Sequence, residues 1–195
     1  SSLVLEVRAT DLRVWVAHPD GDTVATLRTE DGRVEAEIAV GGSPRAIAVA
    51  TDGRIWASLQ DPPGLAVVDP ASLQVVARHA LPPASQPHGV VAGEAGSVWV
   101  ALAAAGEVRR VDAEGRTVAR VAVGPDPRHL AMTPDGARLL VSRFVTGPLP
   151  GESTAAVQTD AGAGGEVIVV STGPVRVERT VVLRHGDRVD TAESG

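Results

Sequence analysis

Short apolar runs, four to eight residues long and broken by Gly, Pro and Asp, follow one another along almost the whole chain. The clearest stretch is Pro44 to Asp69. It contains an apolar run, an Asp-Gly turn, a second run centred on Trp56, a Pro-Gly turn and a third run. Runs of this length, rich in Val, Ile and Ala and bounded by turn formers, predict β-strands. No run sustains an i, i+3, i+4 apolar pattern, so helix is disfavoured.

The pattern repeats. Trp15, Trp56 and Trp99 stand 41 and 43 residues apart, and Leu140 takes the same place 41 residues further on. Pro44, Pro87 and Pro127 keep similar spacing, as do Gly53, Gly96 and Gly136. A period of about 40–45 residues built from short strands is the signature of propeller blades. The chain is therefore expected to be all-β, with four four-stranded antiparallel units forming part of a larger propeller. The units span about 2–40, 44–82, 87–124 and 127–185 in one propeller region covering 1–195.

Within each unit the second strand is the most apolar, as in Arg54–Leu59 and Ser97–Leu102. A strand buried on both faces between neighbouring blades requires such a run. The three tryptophans are read as core, each with an N–H that needs a partner. The fourth unit departs from the pattern because 145–164, rich in Gly, Pro, Ala, Ser and Thr, separates its second and third strands. An insertion of that composition is either a functional flap or a disordered loop. Parity along the meander places it on the face where the first strands begin.

Composition narrows function mainly by exclusion. The net charge is −6, all basic residues are arginine, and cysteine is absent. Using arginine throughout points to a GC-rich genome more than to a binding role. An acidic chain without a basic stripe argues against nucleic acid. The lack of cysteine removes disulfides, thiolate metal sites and haem attachment within these residues. No apolar run approaches the roughly 18 residues of a membrane span. The chain opens on strand-like sequence at Ser1, which is expected of a mature or trimmed piece.

The residues resemble the YVTN-type β-propeller repeats of bacterial proteins. The matching stretches are Val14-Trp15-Val16-Ala17, Thr23-Val24, Val40-Gly41-Gly42-Ser43-Pro44, Val123-Gly124-Pro125-Asp126-Pro127 and Thr133-Pro134-Asp135-Gly136. The phrase Pro87-His88-Gly89-Val90-Val91 is similar to one shared by the related NHL and streptogramin-lyase-like propellers. This resemblance implies a ring of about seven blades. The insertion and the tail Asp190 to Gly195 are also similar to exported proteins in which such a propeller accompanies a c-type cytochrome region. That likeness implies such a region elsewhere in the full protein, and a periplasmic or extracellular location. Members include scaffolds, surface proteins and a few enzymes, so the family alone fixes no activity.

Candidate chemistry gathers at one position of the repeat. Arg45, His88 and Arg128 each follow the recurring proline at the start of an innermost strand, with His129 next door. By parity, His18 and Arg143 at the ends of two second strands share that face. A basic ring around a channel mouth focuses positive potential even on an acidic protein. It would bind a carboxylate, a phosphate or an acidic partner protein, unless the arginines pair with Asp126 and Glu94. The five histidines show no metal-ligand spacing. Asp20-Gly21-Asp22 is better explained as a hairpin turn than as a calcium loop. His79 and His185 are read as surface residues of outer strands.

No nucleophile motif, phosphate loop or dinucleotide fingerprint is present, and no cofactor is implied. The favoured reading is a non-catalytic binding or scaffold propeller. The alternative is a lyase or lactonase-like hydrolase, with His88 as the general base that the lyase resemblance implies.

Overall fold

The computed structural model describes residues 2–8, 11–143 and 165–183. The insertion 145–164, expected as a flap or loop, and His185 lie outside these residues. Among the described residues, sixteen strands form four separate four-stranded sheets, each a meander taken in chain order. The first sheet contains β1 (Leu3–Val7), β2 (Leu12–His18), β3 (Thr23–Arg28) and β4 (Val34–Ala39). The second contains β5 (Pro44–Val49), β6 (Ile55–Gln60), β7 (Pro63–Asp69) and β8 (Gln74–Ala80). The third contains β9 (Pro87–Ala92), β10 (Val98–Leu102), β11 (Glu107–Val111) and β12 (Thr117–Ala122). The fourth contains β13 (Pro127–Met132), β14 (Arg138–Arg143), β15 (Glu166–Thr172) and β16 (Val175–Val182). All pairings within the sheets are antiparallel. Pro19–Gly21 makes a single 3-10 turn, as its Pro-Asp-Gly sequence suggests.

The first strands β5, β9 and β13 lie side by side, so the sheets are blades radiating from an inner wall. The core consists of three interleaved layers between successive blades. Trp15 packs against the second blade, Trp56 against the third and Trp99 against the fourth, and all three are buried. The tryptophan position therefore always faces the next blade. Leu140, its counterpart in the fourth blade, stands on that blade's far side. Its neighbours Leu139 and Val141 point back to the third blade.

Both faces of β10 are buried throughout, as are those of β6 up to Leu59. In contrast, β2 alternates between buried and less buried residues. The expected two-faced burial of second strands holds only for the inner blades, because each terminal blade has a neighbour on one side. On the open side of the first blade, Leu3, Leu5 and Val7 pair with Val16, Val14 and Leu12. Leu3, Leu5 and Val7 are 51%, 46% and 76% exposed. Four blades with an apolar face left open form an arc, part of a propeller.

His79 corrects the surface assignment. It lies in the outer strand β8, but its ring stacks on Trp56 with centroids 5.5 Å apart. Alternation along β8 turns it toward the third blade, where a Cβ at Gly115 would meet its Nδ1 at 1.9 Å. Burial, followed by the charge of Arg54, pushes the His79 imidazole below its ordinary value. The tryptophan N–H groups are not treated alike. Trp15 Nε1 donates to Glu6 Oε2 at 2.7 Å, whereas Trp56 Nε1 has no partner among the described residues.

Candidate functional site

The residue after each recurring proline is placed by a shared irregularity of the inner strands. Pro44 pairs with Leu59 but Ala46 with Ser58, which leaves Arg45 as an extra residue. Arg128 is the extra residue between Pro127 and His129, which pair with Arg143 and Ser142. In β9 the shift falls between Pro87 and Val90, around His88 and Gly89. A β-bulge bends the strand and re-aims the side chain it carries. Three bulges at one repeat position therefore turn Arg45, His88 and Arg128 out of the regular alternation at the channel mouth.

A cavity of about 250 Å³ lies there, lined by Ser2, Pro19, Arg45, Ala46, His88 and His129. The imidazoles of His88 and His129 meet edge to face, with centroids 5.5 Å apart. Arg45 is exposed, and its Nε donates to the neutral amide oxygen of Gln60 at 2.8 Å. His88 is half-buried, and its Nδ1 has no hydrogen-bond partner among the described residues. Burial is the main cause that pushes the His88 imidazole below its ordinary value. Repulsion from His129, Arg128 and Arg45 adds to this, while a hydrogen bond to the Arg128 backbone opposes it. Protonation of His88 is thus disfavoured, and one of its ring nitrogens is buried without a partner among the described residues.

The other three expected residues are placed differently. Arg128 donates to both oxygens of Asp126, at 2.9 and 3.1 Å, from the flank of the cavity. Arg143 is paired with Glu166. His18 lines a second cavity with Pro19, Asp20 and Gly21, which adjoins the first at Pro19. The geometry therefore gathers Arg45, His88 and His129 and leaves Arg143 and His18 aside. Glu94, weighed as a partner for the basic ring, instead binds Arg110 on the opposite face at 2.7 Å.

Two residues that sequence reasoning missed hold this site together. Ser58, buried in β6, accepts the Ala46 N–H at 3.1 Å and donates to the carbonyl oxygen of His88. It ties two blades together directly behind the cavity. The available signal was a lone hydroxyl in an otherwise apolar strand, since a buried polar group needs partners. Gly89 is the second. A Cβ there would meet the Arg128 carbonyl oxygen at 2.2 Å, so β9 and β13 can approach only at a glycine. Among the described residues, no three His, Asp or Glu side chains gather as a metal-ligand set. No helix among them is long and apolar enough to cross a membrane.

No family model matches the chain, and its sequence matches no curated protein. Its fold is similar to that of several solved proteins. One is hydrazine synthase of Kuenenia stuttgartiensis, with TM-score 0.72 and 18% identity over 88% of this chain and 46% of that one. Another is virginiamycin B lyase of Staphylococcus aureus, with TM-score 0.65 and 12% identity over 94% of this chain and 55% of the lyase. BamB of Moraxella catarrhalis matches with TM-score 0.58 and 13% identity over 72% of this chain and 39% of that one. At these identities the likeness is one of fold. The chain spans about half the length of the first two proteins.

Proposed function

We propose that this chain is a non-catalytic propeller module that binds an anionic group at the mouth of its central channel. That group is a carboxylate or phosphate, on a small molecule or on an acidic partner protein. The observation that carries this reading is the convergence of Arg45, His88 and His129 on one cavity while most other arginines nearby are matched by carboxylates. Arg45 supplies a guanidinium whose described bond is to a neutral amide, and guanidinium binds planar anions with two parallel hydrogen bonds. His88 gains a proton more readily once an anion offsets its cationic neighbours. An exported setting, periplasmic or extracellular, and a cytochrome region elsewhere in the protein go with this reading. Both rest on the repeat resemblance alone.

The second reading, a lyase or lactonase-like hydrolase, has one observation in its favour: burial and cationic neighbours disfavour protonation of His88, as suits a general base. Calorimetric titration with inorganic phosphate and with citrate tests the first reading. Saturable binding that falls at least tenfold in Arg45→Ala, with no turnover of lactone or cyclic depsipeptide substrates, is expected. Absence of anion binding overturns the first reading. Turnover that is lost in His88→Ala establishes the second.

A further inference from the structure

The blade interfaces control for one another. In the first three blades, the residue two before the tryptophan, in the second strand or just ahead of it, is the one placed to reach the next blade. In the first two blades this residue is an arginine that crosses the interface. Arg13 Nη1 donates to the Pro70 carbonyl of the second blade at 2.9 Å, and Arg54 Nη1 to the Ala113 carbonyl of the third at 3.2 Å. Pro70 and Ala113 are equivalent, each two residues past the partner of a second strand's first residue: Val68 opposite Ile55, and Val111 opposite Val98. Arg54 also covers Trp56, with its guanidinium carbon 5.8 Å from the ring centroid.

The third blade carries Ser97 at this position. Serine is too short to cross, and its hydroxyl turns back to the Glu94 carbonyl at 2.6 Å. A cavity of about 330 Å³ occupies this place between the third and fourth blades. Trp99 forms part of its wall, as Trp56 does beneath Arg54. Thr172 also lines it, and Thr172 is the counterpart of Pro70 and Ala113, two residues past Val170 opposite Leu139. Glu94, Asp135 and Arg110 complete the charged lining, leaving one net negative charge. Arg110 Nη1 is engaged by Glu94 at 2.7 Å, while its Nε is buried without a partner among the described residues.

We propose that this cavity is a binding site for a guanidinium group brought from outside the chain, which takes the place that Arg13 and Arg54 fill at the other two interfaces. The ring of Trp99 attracts a planar cation, and guanidinium is weakly hydrated for its charge, so it enters a partly apolar cavity at lower cost than ammonium. Asp135 supplies the carboxylate through Oδ2, since its Oδ1 accepts the Thr133 hydroxyl at 2.5 Å and the Ala137 N–H at 3.0 Å, and the charge of Glu94 is already paired with Arg110. The Thr172 position supplies the acceptor that the two internal arginines find at Pro70 and Ala113. The cavity size matches small-ligand pockets, which begin at about 300 Å³. The group could come from free arginine or from an arginine side chain of a partner protein.

Binding of ethylguanidinium, free arginine and a short peptide with one central arginine, each at low millimolar concentration, tests the proposal on the full chain. Calorimetry is expected to show saturable ethylguanidinium binding, at least tenfold tighter than that of ethylammonium. Ser97→Arg is expected to fill the cavity from within, raising Tm by a few degrees and abolishing the binding. Asp135→Asn is expected to weaken it about tenfold, and provides the test should Ser97→Arg fail to fold. Equal affinity for arginine and peptide assigns the site to the free molecule; a peptide at least tenfold tighter assigns it to a partner's side chain. No saturable ethylguanidinium binding, or binding unchanged in both variants, overturns the proposal.

Discussion

Gly89 lies against the carbonyl oxygen of Arg128, so close that a Cβ on the glycine would stand 2.2 Å from it. The inner strands β9 and β13 converge there, and backbone cannot yield as a side-chain tip can. Forcing extra atoms into a packed contact costs about 1–3 kcal/mol. Gly89→Ala is therefore expected to lower the urea midpoint by a corresponding amount and to weaken phosphate binding at the adjacent His88. An unchanged midpoint would show that the inner wall is looser than the structure describes.

The buried pair of Trp15 and Glu6 gives a second prediction. The indole N–H donates to the carboxylate at 2.7 Å, and both residues are buried. Removing the acceptor leaves a buried donor unsatisfied, at a cost of about 1–3 kcal/mol. Glu6→Ala should destabilise the fold by that amount, whereas Glu6→Gln, which keeps an acceptor oxygen, should lose less. Equal losses in chemical denaturation would mean that the hydrogen bond contributes little.

The lowered His88 value gives a pH dependence with a definite sign. Below the ordinary histidine value of 6.5 the unfolded chain takes up a proton before the folded one does. Stability is then expected to fall as pH drops below about 6.5, and to level off beneath the folded value. His79 is shifted the same way and adds to the slope. His88→Gln should flatten part of the decline between pH 7 and pH 5. A slope that is the same in wild type and variant argues against a lowered proton affinity at His88.

The open faces predict association. Leu3, Leu5, Val7 and Leu12 are exposed on one side of the first blade. On the fourth blade Arg138, the counterpart of Arg13 and Arg54, bonds Glu178 within its own sheet at 2.9 Å. Contiguous apolar faces of this kind mark interaction surfaces. The isolated chain is expected to self-associate or to bind hydrophobic dye, and Leu5→Glu with Val14→Glu should suppress both. A compact monomer that binds no dye would mean that the four blades close on themselves.

Sequence reasoning reached the strands and their order because those signals are local. Alternating or continuous apolar runs, Asp-Gly turns and the tryptophan spacing sit within a few residues of one another or repeat at a fixed interval. The equivalence of Arg45, His88 and Arg128 was legible for the same reason. Which of these groups remain available was not. Arg128 faces Asp126 two residues away, but Arg143 is matched by Glu166 across the whole insertion, and no nearby residue announces that pairing.

The amino-acid sequence by itself determined the four blades, the buried tryptophans and the repeat position of the basic residues. These follow from hydrophobic period and turn chemistry, which depend on neighbours in the chain. Tertiary structure alone decided that His79 turns inward onto Trp56, that Ser58 spans two blades, and that a cavity lies at the interface of Ser97 while Arg13 and Arg54 cross the other two. Each of these depends on side-chain reach across an interface between segments roughly 40 residues apart, set by register and bulges. A one-residue change in register sends a side chain to the opposite face of its sheet, so such contacts cannot be read from spacing along the chain.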